Sequence, residues 1–147
     1  MKLLLALYQE YFLANRDYIL KCAPRRADNR VFEAAYHFNL YAWLESFLRG
    51  FRGTVIPEFP TGNGKIDLLV RYRECIYGLE LKSFAAMAQL KDAIVQAGRY
   101  GRSMGLATIT LAVFVERPLP EDKKPLFAEP FCSGDGARVE VVFLVVG

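Results

Sequence analysis

The chain predicts an α/β sandwich built around a mixed sheet. Two helical stretches come first, and three β-rich runs follow with no helix between them. A further helical stretch then separates the third run from a long apolar one. Adjacent β-runs joined by short turns call for antiparallel pairing, whereas a strand, a helix and another strand in succession call for a parallel crossover.

The elements follow in order. Leu4, Leu5, Tyr8, Tyr11, Phe12 and Ile19 recur at helical spacing and predict a helix over 3–20. Its apolar stripe either packs on the sheet or meets a second subunit or another domain. A polar stretch from Ala23 to Asn29 contains Pro24 and ends in Asp28-Asn29, good N-caps for a second helix over 30–48 that stops at Gly50. Thr54–Phe59 reads as the first strand, closed by the turn signal Pro60-Thr61-Gly62-Asn63-Gly64. Lys65–Tyr72 and Cys75–Ser83 are the second and third strands, rich in Ile, Leu, Val and Tyr. Ala85–Met104 is a helix with Met87, Leu90, Ile94 and Ala97 on one stripe, and Ala107–Val115 is an apolar strand suited to the sheet centre. The prolines Pro118, Pro120 and Pro125 mark 117–129 as a loop, and Arg138–Val146 is the last strand.

At 147 residues one domain over 1–147 is expected, large enough to bury a core. A hydrophobic content of 53% with 14% aromatics excludes disordered and collagen-like chains. The opening Met-Lys-Leu-Leu-Leu-Ala-Leu breaks at Tyr8-Gln9-Glu10 with no small-residue cleavage pattern, and no run approaches the ~20 apolar residues of a spanning helix. A cytoplasmic protein without membrane attachment is the expectation. Cys22, Cys75 and Cys132 are far apart, lack Cys-x-x-Cys spacing and are expected to be buried, reduced thiols. The net charge of +3 is too small to argue for nucleic acid alone. Its basic excess sits in residues 1–105, with fifteen Lys/Arg against ten Asp/Glu.

The chemistry-bearing pattern is Gly-Lys-Ile-Asp-Leu-Leu-Val at 64–70, followed by Gly-Leu-Glu-Leu-Lys at 78–82. Glu80 and Lys82 are two apart on a strand and share a face. If the second and third strands form a hairpin with Arg73-Glu74 at its tip, Asp67 stands directly opposite Glu80, with Cβ atoms about 5 Å apart. Arg-Glu is a poor tight-turn pair, so a longer loop stays open, and a slip of one residue would separate the carboxylates onto opposite faces. Two carboxylates this close repel, and a hard divalent cation is the natural compensation. Mg²⁺ held by Asp67, Glu80 and the backbone carbonyl of Leu81, with Mn²⁺ as a substitute, would keep several waters and suit phosphodiester hydrolysis. Lys82 would orient the water or stabilise developing negative charge. The bland alternative is a solvated Asp–Glu–Lys ion-pair cluster. Against it, both carboxylates sit inside apolar strands, Ile66-Asp67-Leu68 and Leu79-Glu80-Leu81.

The order and spacing of Asp67, Glu80 and Lys82 resemble the PD-(D/E)XK nuclease superfamily, with Ile66 where that pattern often has Pro. Glu33-x-x-Tyr36-His37, Pro57-Glu58 and the Gly-Lys-Ile-Asp turn are similar to the RecB-like, nuclease-like domains found with AAA-type ATPases. The resemblance covers roughly residues 30–116. It implies a restriction-endonuclease-like α-β-β-β-α-β core, with the first helix and last strand as additions. It also implies a metal-dependent DNA nuclease, or a catalytically silent nucleic-acid-binding or interaction domain on the same fold, with DNA and an AAA-type ATPase as partners; DNA against RNA stays open.

Further site residues follow from that likeness. Members often place a Glu on the helix before the strands. Glu33 and Glu45 are about 120° apart around that helix, so both are not expected to face the site, and the resemblance favours Glu33. His37, one turn on, either helps hold metal or phosphate or is a half-buried, hydrogen-bonded histidine. Gln96 and Tyr100, four apart on the later helix, are similar to a RecB-type pair near the catalytic Lys and the DNA. Arg99 and Arg102, with Arg49 and Arg52 elsewhere, contact phosphates or merely solubilise. Glu58 is either an extra carboxylate near Asp67 or a strand-end residue facing solvent. Oligomeric state, including a homodimer, is open.

Overall fold

A computed structural model describes residues 1–62, 64–117, 129–132 and 136–147. Three helices, α1 (Lys2–Leu20), α2 (Glu33–Arg49) and α3 (Met87–Ser103), flank a five-stranded open sheet. Its strands are β1 (Thr54–Pro60), β2 (Lys65–Tyr72), β3 (Cys75–Ser83), β4 (Thr108–Val115) and β5 (Arg138–Val145), adjacent in chain order. The first three pair antiparallel and the last three parallel, so β3 is where the sheet changes direction sense. Most of the expected 117–129 loop, and Asn63 of the expected turn, lie outside the described residues.

Alternation along the strands sorts the core into two layers. Leu79 and Leu81 of β3, with Ala112 and Phe114 of β4, pack against α1 and α2. Ile109, Leu111, Val113 and Val115 of β4 face Leu90, Ile94 and Ala97 of α3. The stripe of α1 is spent on the sheet: Leu5, Tyr8 and Phe12 are fully buried. Tyr8 meets Phe114 and Trp43 edge-on and donates its hydroxyl to Asn39 Oδ1 at 3.0 Å. Gln9 accepts a hydrogen bond from the Val145 N–H of the edge strand β5, which blunts that edge. Among the described residues no helix is long and apolar enough to cross a membrane.

Three expectations need correcting. The second helix begins at Glu33, not near residue 30, and neither Asp28 nor Asn29 caps it. They form a turn instead. Arg25 bridges Val31, Asn29 takes a left-handed φ of 67°, and the Asp28 carboxylate accepts from the Arg30 backbone and guanidinium. Short Asx side chains serve turns as readily as caps. At the far end, Gly50 caps α2 in a right-handed conformation, and the left-handed residue is Arg52. All three cysteines are free but exposed rather than buried. Cys22 lies just beyond α1, Cys75 opens β3 at the hairpin tip and Cys132 lies outside the regular elements, so none occupies a core-facing position.

Candidate metal and catalytic site

The β2–β3 hairpin turns on Arg73 and Glu74, with Arg73 at φ 54° and Tyr72 paired to Cys75. A residue forced to positive φ allows the tight turn despite its unfavourable composition. The register continues through Val70–Tyr77 to Leu68–Leu79, and the next residues in that register are Asp67 and Glu80.

There the ladder gives way to side chains. The Asp67 N–H donates to Glu80 Oε1 at 3.2 Å, and the Leu81 N–H donates to Asp67 Oδ2 at 2.8 Å. On the other side of β2, Pro57 pairs with Leu68 and Phe59 with Ile66, while the intervening Glu58 takes φ 49°. The alternation of β2 also slips at this point. Leu68 and Val70 pack toward α1 and α2, but Ile66 packs toward α3. Asp67 therefore sits where β2 opens away from both neighbours, and its carboxylate enters the gap.

Both acids are held in a low-polarity setting. Glu80 is only 8% exposed. Burial first, and the charge of Asp67 second, push its carboxyl up to about 8. Asp67 is also raised by burial, against the opposing pull of the Leu81 N–H and the nearby His37. Desolvation and like charge both disfavour ionisation, against a smaller opposing pull from Lys82 on each acid.

Helix α2 brings the third acid. Tyr36, Leu40, Leu44 and Leu48 anchor it to the sheet at four-residue intervals, which sets its first residue beside the end of β3. Glu33 Oε2 accepts from the Ser83 N–H at 2.7 Å, and Oε1 lies 3.6 Å from Lys82 Nζ. Glu45 instead pairs with Arg49. The structure thus brings Glu33, and not Glu45, to the motif.

From the opposite face, Ala93, Gln96 and Tyr100 of α3 complete a cavity of about 120 Å³ with Glu33, Lys65, Asp67, Glu80, Leu81, Lys82 and Leu111. Gln96 Nε2 donates to the Tyr100 hydroxyl at 2.7 Å. Tyr100 lies over the turn before β2: a Cβ on Gly64, itself at φ 149°, would come within 2.5 Å of its hydroxyl oxygen. A side chain there is excluded by space as well as by conformation.

The remaining residues fall further out. His37 is half-buried and outside the cavity lining. Glu58 is exposed and paired with Lys65 at 3.3 Å rather than turned to Asp67. Arg99 and Arg102 border a separate depression of about 710 Å³ on the outer side of α3, together with Gln96 and Tyr100. Arg49 and Arg52 belong to the far end of α2, about 24 Å from Glu33 at 1.5 Å rise per residue, and are not part of this site.

The donor set suits a hard cation. Asp67 Oδ1 and Glu80 Oε2 take no hydrogen bond among the described residues, because the backbone contacts use the other oxygen of each carboxylate. No three His, Cys, Asp or Glu side chains among the described residues converge into a ready-made cage, so protein ligands would have to be completed by water or substrate.

Several lining residues carried no signal in the periodicity. Lys65 lies within the Gly-Lys-Ile-Asp motif, whose Lys could have been weighed. Ser83 engages Glu33 through its backbone N–H, and Ala93 contributes by being small. Arg26 and Arg30 line a second cavity of about 370 Å³ that adjoins the first through Glu33, Lys82, Ala93 and Gln96. Compared with family models, with curated proteins and with solved structures, the chain matches none.

Proposed function

We propose that the chain is a divalent-metal-dependent deoxyribonuclease with a restriction-endonuclease-like core of the PD-(D/E)XK type. The observation that carries this reading is the pair of interlocked carboxylates, half-buried Asp67 and buried Glu80, both held above their ordinary ionisation range beside Lys82. A solvated ion-pair cluster would be exposed and would have its charges matched.

In this reading Asp67 Oδ1 and Glu80 Oε2 hold Mg²⁺ or Mn²⁺, with the Leu81 carbonyl as the expected backbone ligand. A divalent cation there supplies positive charge to offset the phosphoryl oxygens and acidify attacking water. Lys82 stabilises negative charge developing on the phosphate. Glu33 holds the Lys82 ammonium in position, and Gln96 and Tyr100 bound the space that a phosphate would enter. In the same reading Arg99 and Arg102 contact phosphates of the DNA backbone.

A non-cleaving DNA-binding or interaction domain, working with an AAA-type ATPase, is the second reading. The Lys82–Glu33 contact, which ties the ammonium to the helix acid, favours it. The test is incubation of plasmid, linear and branched DNA with Mg²⁺ or Mn²⁺. Cleavage by the wild type that disappears in Asp67→Ala supports the nuclease. Equal activity in both proteins excludes this site, and no cleavage by either leaves the binding domain.

A further inference from the structure

The cavity beside the carboxylates is larger than they need. It lies between the turn that precedes α2 and the first turns of α3, with Lys82 and Ser83 on its floor. Its volume of about 370 Å³ is near the lower end of the ~300–1,000 Å³ typical of small-ligand sites. That is room for about one nucleotide, and a base pair would not fit without being opened.

The polar groups are unevenly committed. Arg30 is tied to Asp28, and Lys82 to Glu33. Arg26 is in no ion pair among the described residues, and its guanidinium stands 5.6 Å over the Phe32 ring. That stack holds the side chain at the cavity wall while leaving its donors available. On the floor, the Ser83 hydroxyl is buried without a hydrogen-bond partner, although its backbone N–H is bonded to Glu33. A buried, unmatched hydroxyl and an uncommitted guanidinium on the lining of one cavity suit a phosphate, which accepts from both. Across the cavity, Gln89 and Asp92 present donors and acceptors to a base edge.

We propose that this cavity holds one unpaired nucleotide adjoining the scissile phosphate, with its own phosphate on Arg26 and the Ser83 hydroxyl. The inference rests on the nuclease reading for which phosphate is cut, and it adds that the strand must be single at this position. A paired partner would add a second base of similar size to a space of about 370 Å³.

The test is fluorescence anisotropy with a short labelled DNA strand, alone or fully paired, without divalent metal so that nothing is cut. The wild type should bind the single strand at least tenfold more tightly than the duplex. Arg26→Ala should weaken single-strand binding about tenfold and reduce the slope of log affinity against log salt by about 0.7, the loss of one phosphate contact. Ser83→Ala should give a smaller loss with an unchanged slope. Equal affinity for the duplex, or wild-type affinity and slope in Arg26→Ala, overturns the inference. The cleavage assay keeps the two ideas apart. Preferential, Arg26-dependent binding without cleavage sustains the subsite and overturns the nuclease. Asp67-dependent cleavage with no Arg26 effect does the reverse.

Discussion

Asp67 and Glu80 are joined through the backbone of each other's strand: the Asp67 N–H donates to Glu80, and the Leu81 N–H donates to Asp67. Each carboxylate replaces a rung of the β2–β3 ladder. The contact fixes the side chains without neutralising them, because amide donors carry only partial charge. The full charge of Lys82 acts on both acids but is shared with Glu33, and it does not offset their burial.

Metal binding should therefore depend on both acids. Calorimetric titration of Mn²⁺ into the wild type should give saturable binding, with the heat abolished in Asp67→Ala and Glu80→Ala. Thermal melting should show a metal-dependent rise in Tm in the wild type alone. Full binding by Glu80→Ala would remove Glu80 from the ligand set.

In EDTA the metal-free protein should become less stable as pH rises. The folded-state pKa of Glu80, about 8, exceeds its ordinary value of 4.5, so the folded form holds the proton more tightly. That stabilisation is complete below about pH 4.5 and is lost progressively up to about pH 8; raised Asp67 acts in the same sense. At ~1.4 kcal/mol per pKa unit the loss is on the order of a few kcal/mol. Urea melts across this range should show the decline, and Glu80→Gln should flatten it and be the more stable protein at pH 8. A wild-type profile flat from pH 5 to 8 would contradict the burial argument.

Lys82→Ala should separate chemistry from metal binding. Loss of a preorganised charge beside the reacting phosphate costs ~10²–10³ in kcat, while Mn²⁺ affinity should stay within a few-fold of wild type. The measurement is single-turnover cleavage alongside calorimetry. A parallel collapse of both would assign Lys82 a structural role.

Gly64→Ala should destabilise the fold by ~1–3 kcal/mol, since the residue is held at positive φ and its Cβ would strike Tyr100. Placing Tyr100→Ala in the same background should recover the steric part and leave the backbone part. A double-mutant cycle from chemical denaturation measures the difference.

Much of this arrangement could be read from residue order. The bounds of β2 and β3 followed from runs rich in Ile, Leu, Val and Tyr, and their register from the short connection that joins them. Only the resemblance favoured Glu33 over Glu45, and the buried stripe of Tyr36, Leu40 and Leu44 is what sets Glu33 beside the end of β3. Other features were not legible. Asp28-Asn29 carry the same letters whether they cap a helix or close a turn, and only the Arg25–Val31 bridge selects the turn. The opening of β2 at Asp67 depends on side chains bonding to backbone, which leaves no trace in hydropathy. Arg26 was one polar residue in a polar stretch until the fold set it against α3.

The acids of the site are assembled over very different spans of chain. Asp67 and Glu80 meet across thirteen positions of a single hairpin, whereas Glu33 reaches Ser83 across fifty. The carboxylate pair is therefore a local property of one supersecondary unit, and the partner of Lys82 is a property of the whole fold. The contact that ties Lys82 to Glu33 therefore depends on α2 being docked on the sheet, a requirement that the hairpin pair does not share.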